Sequence, residues 1–214
     1  MTTETMNVHK ALCELKTLDK RITDGMNAVS FVFANKHSNT KVLGQDIKDV
    51  CKNVEEAYQS VNDLMRRRDA IKRAVVLSNA KTTVKVAGVE YTVAEAIEMK
   101  NHGIALKQNM LRKMTRDLEM ARMTAERSNG DALERRADEN IKSLYGATDM
   151  KGGVSEEVQK ARAEFIKAQT MELVDPIGIN EECKRLTAEI NDFMVDVDSQ
   201  LSVSNATTVI DICY

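Results

Sequence analysis

The sequence predicts a mainly α protein: long antiparallel helices, bundled or coiled-coil-like, with one small β-hairpin and a β-prone C-terminal tail. Three observations predict it. Apolar residues recur at seven-residue spacing through most of the 214 residues, which places them on one helix face. The chain holds one Pro and no Trp, with 4% aromatic against 30% charged residues, a composition of long solvated helices rather than of a compact enzyme. One stretch, "TTVKVAGVEYT" (Thr82–Thr92), alternates apolar and polar residues, the period of a strand.

The first helix is expected from about Thr5 to Phe33. Val8, Leu15, Ile22 and Val29 form its seven-residue row, with Ala11, Leu12, Leu18 and Met26 between them. Gly25 interrupts good helix formers and predicts a kink or a ragged end. "NKHSNTKVLG" (Asn35–Gly44) reads as a loop. The second helix is expected from about Gln45 to Asn79. Three apolar rows run along it: Ile47/Val54/Val61, Val50/Ala57/Leu64/Ile71 and Cys51/Tyr58/Met65. A stripe that wide covers more than a two-stranded seam needs and predicts packing against two or more neighbours. Its end, "MRRRDAIKR" (Met65–Arg73), reads as a solvated basic face, with contact to an acidic protein surface as the alternative.

In the hairpin, Val84 and Val86 share a side with Val89 and Tyr91. Setting Val86 opposite Val89 also sets Lys85 opposite Glu90 and Val84 opposite Tyr91, so every cross-strand pair is compatible. The turn is then Ala87-Gly88. Gly88 suits a type I′ turn, whereas Ala87 stands where Asn or Gly is preferred. A two-stranded ribbon is marginal alone, so its apolar side is expected to rest on something. "TVAE" (Thr92–Glu95) is a capping box that starts the next helix. Ile97, Ile104, Leu111 and Leu118 continue it to about Ala125, with Gly103 as an interruption. Met110, Met114, Met120 and Met123 cluster there, as gap-fillers in an imperfect core or as an adaptable contact surface.

"RSNGD" (Arg127–Asp131) predicts a break, and the following helix stops at Gly146. Ala147–Glu157 is a linker. A further helix covers about Ser155–Leu173, and Pro176 lies in the break after it. The last helix covers about Asn180–Val203, with Leu186, Ile190, Phe193, Val197 and Leu201 on one stripe. The tail, Ala206–Tyr214, carries Val209, Ile210 and Ile212 and predicts pairing with a sheet edge, that of the hairpin or of a neighbouring subunit. Two domains are expected: 1–146, a helical bundle carrying the hairpin at about 82–92, and 147–214, a helical hairpin and tail packed on it.

Composition and motifs narrow the function. The 31 basic and 33 acidic residues nearly balance, so no nucleic-acid partner is expected. Cys13, Cys51, Cys183 and Cys213 form no CxxC pair, and His9, His37 and His102 are isolated, so no metal, no cofactor and free thiols are expected. No nucleotide-binding glycine motif, nucleophile elbow or zinc-protease motif occurs. The "KGG" at Lys151–Gly153 reads as a turn rather than a phosphate loop. No enzyme activity and no small-molecule substrate are expected. The N-terminus lacks an apolar signal core and no apolar run approaches 18 residues, so no secretion signal and no membrane partner are expected.

The order "LMRRRDAIKRAVVLSNAKTTV", Gly-centred hairpin, "YTVAEAIEMK" resembles bacteriophage virion-associated structural proteins of helix–hairpin–helix type. It is similar, more loosely, to the septicolysin-like bacterial family. The matching residues are Asn79, Thr82, Thr83, Gly88 and Thr92. The likeness covers about 40 of the 214 residues, and the C-terminal third from about Lys151 departs from the septicolysin-like pattern. It implies a structural role, with no cofactor and no catalytic residue. The expected function is therefore a structural component of a tailed-phage virion (capsid, neck, tail or baseplate), made in the host cytoplasm and acting through contacts with itself and other virion proteins. The alternatives are a cytoplasmic helical adaptor and a membrane-acting septicolysin-like toxin. The expected contact and structural residues are Val84, Val86, Gly88, Val89, Tyr91, Thr92, Glu95, Val209, Ile210 and Ile212.

Overall fold

A computed structural model describes residues 3–146 and 155–214. The fold is mainly α with small antiparallel β elements, as the sequence predicts. Of the expected linker over 147–157, residues 147–154, with the Lys-Gly-Gly turn and the domain boundary at 147, lie outside the described residues, and the rest opens a helix at Glu156. The chain divides into two compact units. The first holds β1 (Thr3–Asn7), α1 (Val8–Ala28), β2 (Lys41–Val42), β3 (Gln45–Asp46), α2 (Ile47–Asn79), β4 (Thr83–Val86), β5 (Val89–Thr92), α3 (Val93–Glu98) and a π-helical turn at Met99–Gly103. The second holds α4 (Ile104–Ser128), α5 (Asp131–Tyr145) and α6 (Glu156–Gln169). Helix α7 (Ile179–Thr207) contributes residues up to Asn191 to the second unit and the rest, with β6 (Val209–Cys213), to the first. The division therefore differs from the expected split at 147: the C-terminal third is shared between both units.

In the first unit, α1 lays Val8, Ala11, Leu15, Leu18 and Ile22 against Val61, Ile71 and Val75 of α2. Val61 and Ile71 belong to the rows read on α2, whereas Cys51 and Tyr58 of the third row are exposed, so the buried stripe is narrower than the sequence suggests. Helix α1 continues through Gly25 and ends at Ala28, short of the expected Phe33. A Cβ at Gly25 would meet Val61 Cγ2 at 3.0 Å, so the glycine lets the two helices approach closely. The chain before Val8 is a strand rather than the expected first turn of helix. Thr3 and Thr5 are β-branched and favour extended backbone, and Asn7 caps α1 by accepting from the Lys10 N–H at 2.8 Å.

Strand β1 pairs antiparallel with β6: Met6 stands opposite Ile210 and Glu4 opposite Ile212. Met6, Ile210 and Ile212 are buried in the same core as the α1–α2 contact. The tail thus pairs with the N-terminal strand and not with the hairpin, which corrects the expected partner. Its apolar side is covered within the chain.

The predicted loop 35–44 runs into a second small hairpin. Leu43 and Gly44 form its turn with φ of 48° and 82°, nearly the 49° and 81° of Ala87 and Gly88. Both hairpins read Lys-Val-x-Gly, at Lys41–Gly44 and Lys85–Gly88, and both run directly into a helix. Asp46 caps α2 by accepting from the Lys48 N–H at 2.9 Å. The segment Phe31–Phe33, expected as the end of α1, is not helical.

In the second unit, α5 and α6 are tied by Arg162, which donates to Asp138 and Glu134. Gly130, with φ of 56°, makes the predicted break between α4 and α5. Lys107 of α4 pairs with Glu189 of α7, and Arg122 donates to the Asn180 side chain at 3.0 Å. The row Ile104, Leu111, Leu118 and Ala125 on α4 is buried or half-buried, as are Cys183, Leu186 and Ile190 on α7. The α7 helix starts where Asp175 accepts from the Ile179 N–H at 2.8 Å. It ends at Thr207, beyond the expected Val203.

Candidate assembly surfaces

The hairpin keeps the register its sequence dictates: Val86 opposite Val89, Lys85 opposite Glu90, Val84 opposite Tyr91. Thr92 accepts from the Glu95 N–H at 3.2 Å, and the Glu95 carboxylate accepts from the Thr92 N–H at 2.7 Å, completing the capping box. The Thr92 N–H and the Thr92 hydroxyl, which donates to the same carboxylate at 2.9 Å, hold the Glu95 carboxyl below its ordinary titration range. Val84 and Val86 are buried. Tyr91 meets Phe193 edge to face, 6.0 Å between centroids. At the turn, the Ala87 N–H donates to Asp196 at 2.9 Å, and Gln200 donates to the same carboxylate. Both bonds favour the charged form and lower the Asp196 titration range. The ribbon therefore rests on α7 in its own unit. Of the apolar residues expected to make contacts, Val84, Val86, Ile210 and Ile212 are used inside the chain, Tyr91 is half-buried, and Val89 and Val209 remain exposed.

The basic run on α2 is not simply solvated. Arg67 donates to Glu14 of α1, Glu4 of β1 and the hydroxyl of Tyr214, and its guanidinium lies 4.9 Å from the Tyr214 ring centroid. The two carboxylates, Glu14 foremost, keep Arg67 charged at any accessible pH. Arg68 reaches Asp19 of α1. One side chain thus gathers both chain ends onto α2. Nothing in "RRR" distinguishes Arg67 from its neighbours, so the sequence alone does not single it out.

What folding leaves uncovered is more informative than any pocket. Phe31, Val32 and Phe33 line an apolar groove of about 350 Å³ with Val42, Ile47 and Val50, and Val32, Leu43 and Tyr58 beside it are exposed. Helix α4 has only Ile104 and Met114 fully buried, while Leu106, Met110, Met120 and Met123 face solvent.

Among the described residues, no group of three His, Cys, Asp or Glu is placed to hold a metal ion. All four cysteines are free thiols, with Cys183 half-buried and the others exposed. Among the described residues, no helix is long and apolar enough to cross a membrane. Comparison with protein-family models, curated proteins and solved structures finds no match to this chain.

Proposed function

We propose that this protein is a structural component of a tailed-phage virion, working through oligomeric contacts with itself and with other virion proteins. The observation that carries this reading is the uncovered surface. Leu106, Met110, Met120 and Met123 on α4, and Phe31, Val32 and Leu43 around the apolar groove, stand exposed, and clustered apolar surface of this kind marks a contact with another protein. The virion setting is the finer part of the proposal, supported by the resemblance over Leu64–Lys100.

Mass spectrometry of purified particles from a phage encoding this chain tests the reading. Stoichiometric recovery of the chain in intact particles is the expected result. Its absence from particles, with the chain abundant in infected-cell lysate, overturns the virion role and leaves a cytoplasmic adaptor.

A further inference from the structure

On the side of α4 turned away from the Ile104–Leu111–Leu118 row lies a second row: Leu106, Met110, Lys113, Asp117, Met120 and Thr124. Their spacing of four, three, four, three, four places them on one helix face, with Leu106, Met110 and Met120 apolar around a charged centre. The row spans about 28 Å of helix. Every one of the six is exposed; Leu106 is 69%, Met110 60% and Met120 54% accessible. Lys113 and Asp117 pair with each other along the helix at i,i+4.

We propose that this row is the contact between two copies of the chain, α4 against α4, antiparallel about a two-fold axis near Thr115. The sequence of the row is its own complement in that arrangement. Leu106 stands opposite Thr124, Met110 opposite Met120, and Lys113 opposite Asp117 of the second copy. The two-fold axis repeats each layer, so the centre holds four alternating charges flanked by apolar layers. A parallel pair would set Lys113 against Lys113 and Asp117 against Asp117, which repel. Charge therefore selects both the partner and its direction, the role that polar residues play at seam positions. The contact is isologous and closes on itself. Methionine thioethers adapt to the facing surface at little conformational cost. The inference deepens the assembly reading by naming one of its contacts.

Charge exchange between copies tests it, read by sedimentation equilibrium on the full chain. The wild type is expected to associate with the mass of pairs of 23.9 kDa chains. Lys113→Glu alone sets acid against acid in the partner, and Asp117→Lys alone sets base against base. Each is expected to weaken association at least tenfold with unchanged helical circular dichroism. An equimolar mixture of the two single variants restores both pairings, so it is expected to form heteropairs with wild-type affinity. Tagged Lys113→Glu chain should then capture untagged Asp117→Lys chain and not itself. A wild-type chain that stays monomeric at 100 μM (about a hundredfold above a micromolar dissociation constant) would overturn the proposal. So would single variants that associate normally, or a mixture that fails to pair. The virion reading is decided separately, by the particle mass spectrometry. Pairing that follows the charges in a chain absent from particles keeps this inference and sinks that one; association indifferent to the charges in a chain found in particles does the reverse.

Discussion

Replacing Arg67 with Met removes the guanidinium that joins both chain ends to α2 while keeping an unbranched apolar stem. The Arg67 and Glu14 side chains are each 22% exposed and Glu4 is 34% exposed, so these pairs lie between solvated and buried. Exposed pairs contribute below about 1 kcal/mol and hydrogen bonds to desolvated charges about 1.5–3 kcal/mol. Taking about 1 kcal/mol for each carboxylate and about 0.5 kcal/mol for the Tyr214 ring gives a loss of about 2–3 kcal/mol. With a urea slope near 2 kcal/mol/M, the unfolding midpoint should fall by about 1–1.5 M. The effect should be local as well as global. Hydrogen exchange of the β6 amides should accelerate by about 30- to 140-fold, because β6 loses its tie through Tyr214 and its partner β1 loses Glu4. Arg67→Lys should fall between the two, since an ammonium keeps the charge but not the planar fork. An unchanged midpoint together with unchanged β6 exchange would refute the idea that this residue holds the termini.

Ala87→Asn should stabilise the first unit by about 0.5–1 kcal/mol, since Ala87 occupies a left-handed conformation that Asn tolerates better; a lowered thermal midpoint would contradict this. Val86→Asp should disrupt the first unit, because the side chain is fully buried and would place a charge without a partner in the core. Val89→Asp, at an exposed position of the same hairpin, should leave circular dichroism and thermal midpoint nearly unchanged. Near-equal loss in both variants would mean that Val89 too is covered in solution. The Asp196 titration range is lowered in the folded state by the Ala87 N–H and Gln200, so its contribution is present above the ordinary carboxylate range and is lost as pH falls through the lowered folded value. Asp196→Asn should therefore flatten the decline of stability as pH falls below the ordinary carboxylate range. An unaltered pH slope in thermal melts would show that this bond contributes nothing to folding.

The hairpin was legible residue by residue because all its determinants are local. Valine pairing, the Gly88 turn and the Thr92–Glu95 box fall within fourteen residues, and each agrees with the others. The long helices were legible for the same reason: the α-helical repeat imposes a period, and rows such as Val8–Leu15–Ile22 display it. The second small hairpin escaped notice because strands of two residues cannot show a period, although its Leu43-Gly44 turn matches Ala87-Gly88. The methionines of α4 were visible as a cluster. Whether they faced a core or solvent was not, since periodicity names a face without saying what covers it.

Tertiary structure decided what meets what. Thr3–Asn7 is a strand because Val209–Cys213 lies beside it, and no local pattern announces a partner some two hundred residues away. Arg67 matters because α1, β1 and the C-terminus converge on it, whereas Arg66 one residue along reaches only Asp63 of its own helix. The tail and the hairpin read as open edges in the sequence; packing turned Val84, Val86, Ile210 and Ile212 inward and left the groove at Phe31–Phe33 and one face of α4 as exposed apolar surface. Backbone periods are set by bonds between neighbouring residues, so a sequence carries them directly. The choice among apolar faces is settled only when surfaces far apart in the chain compete for the same burial.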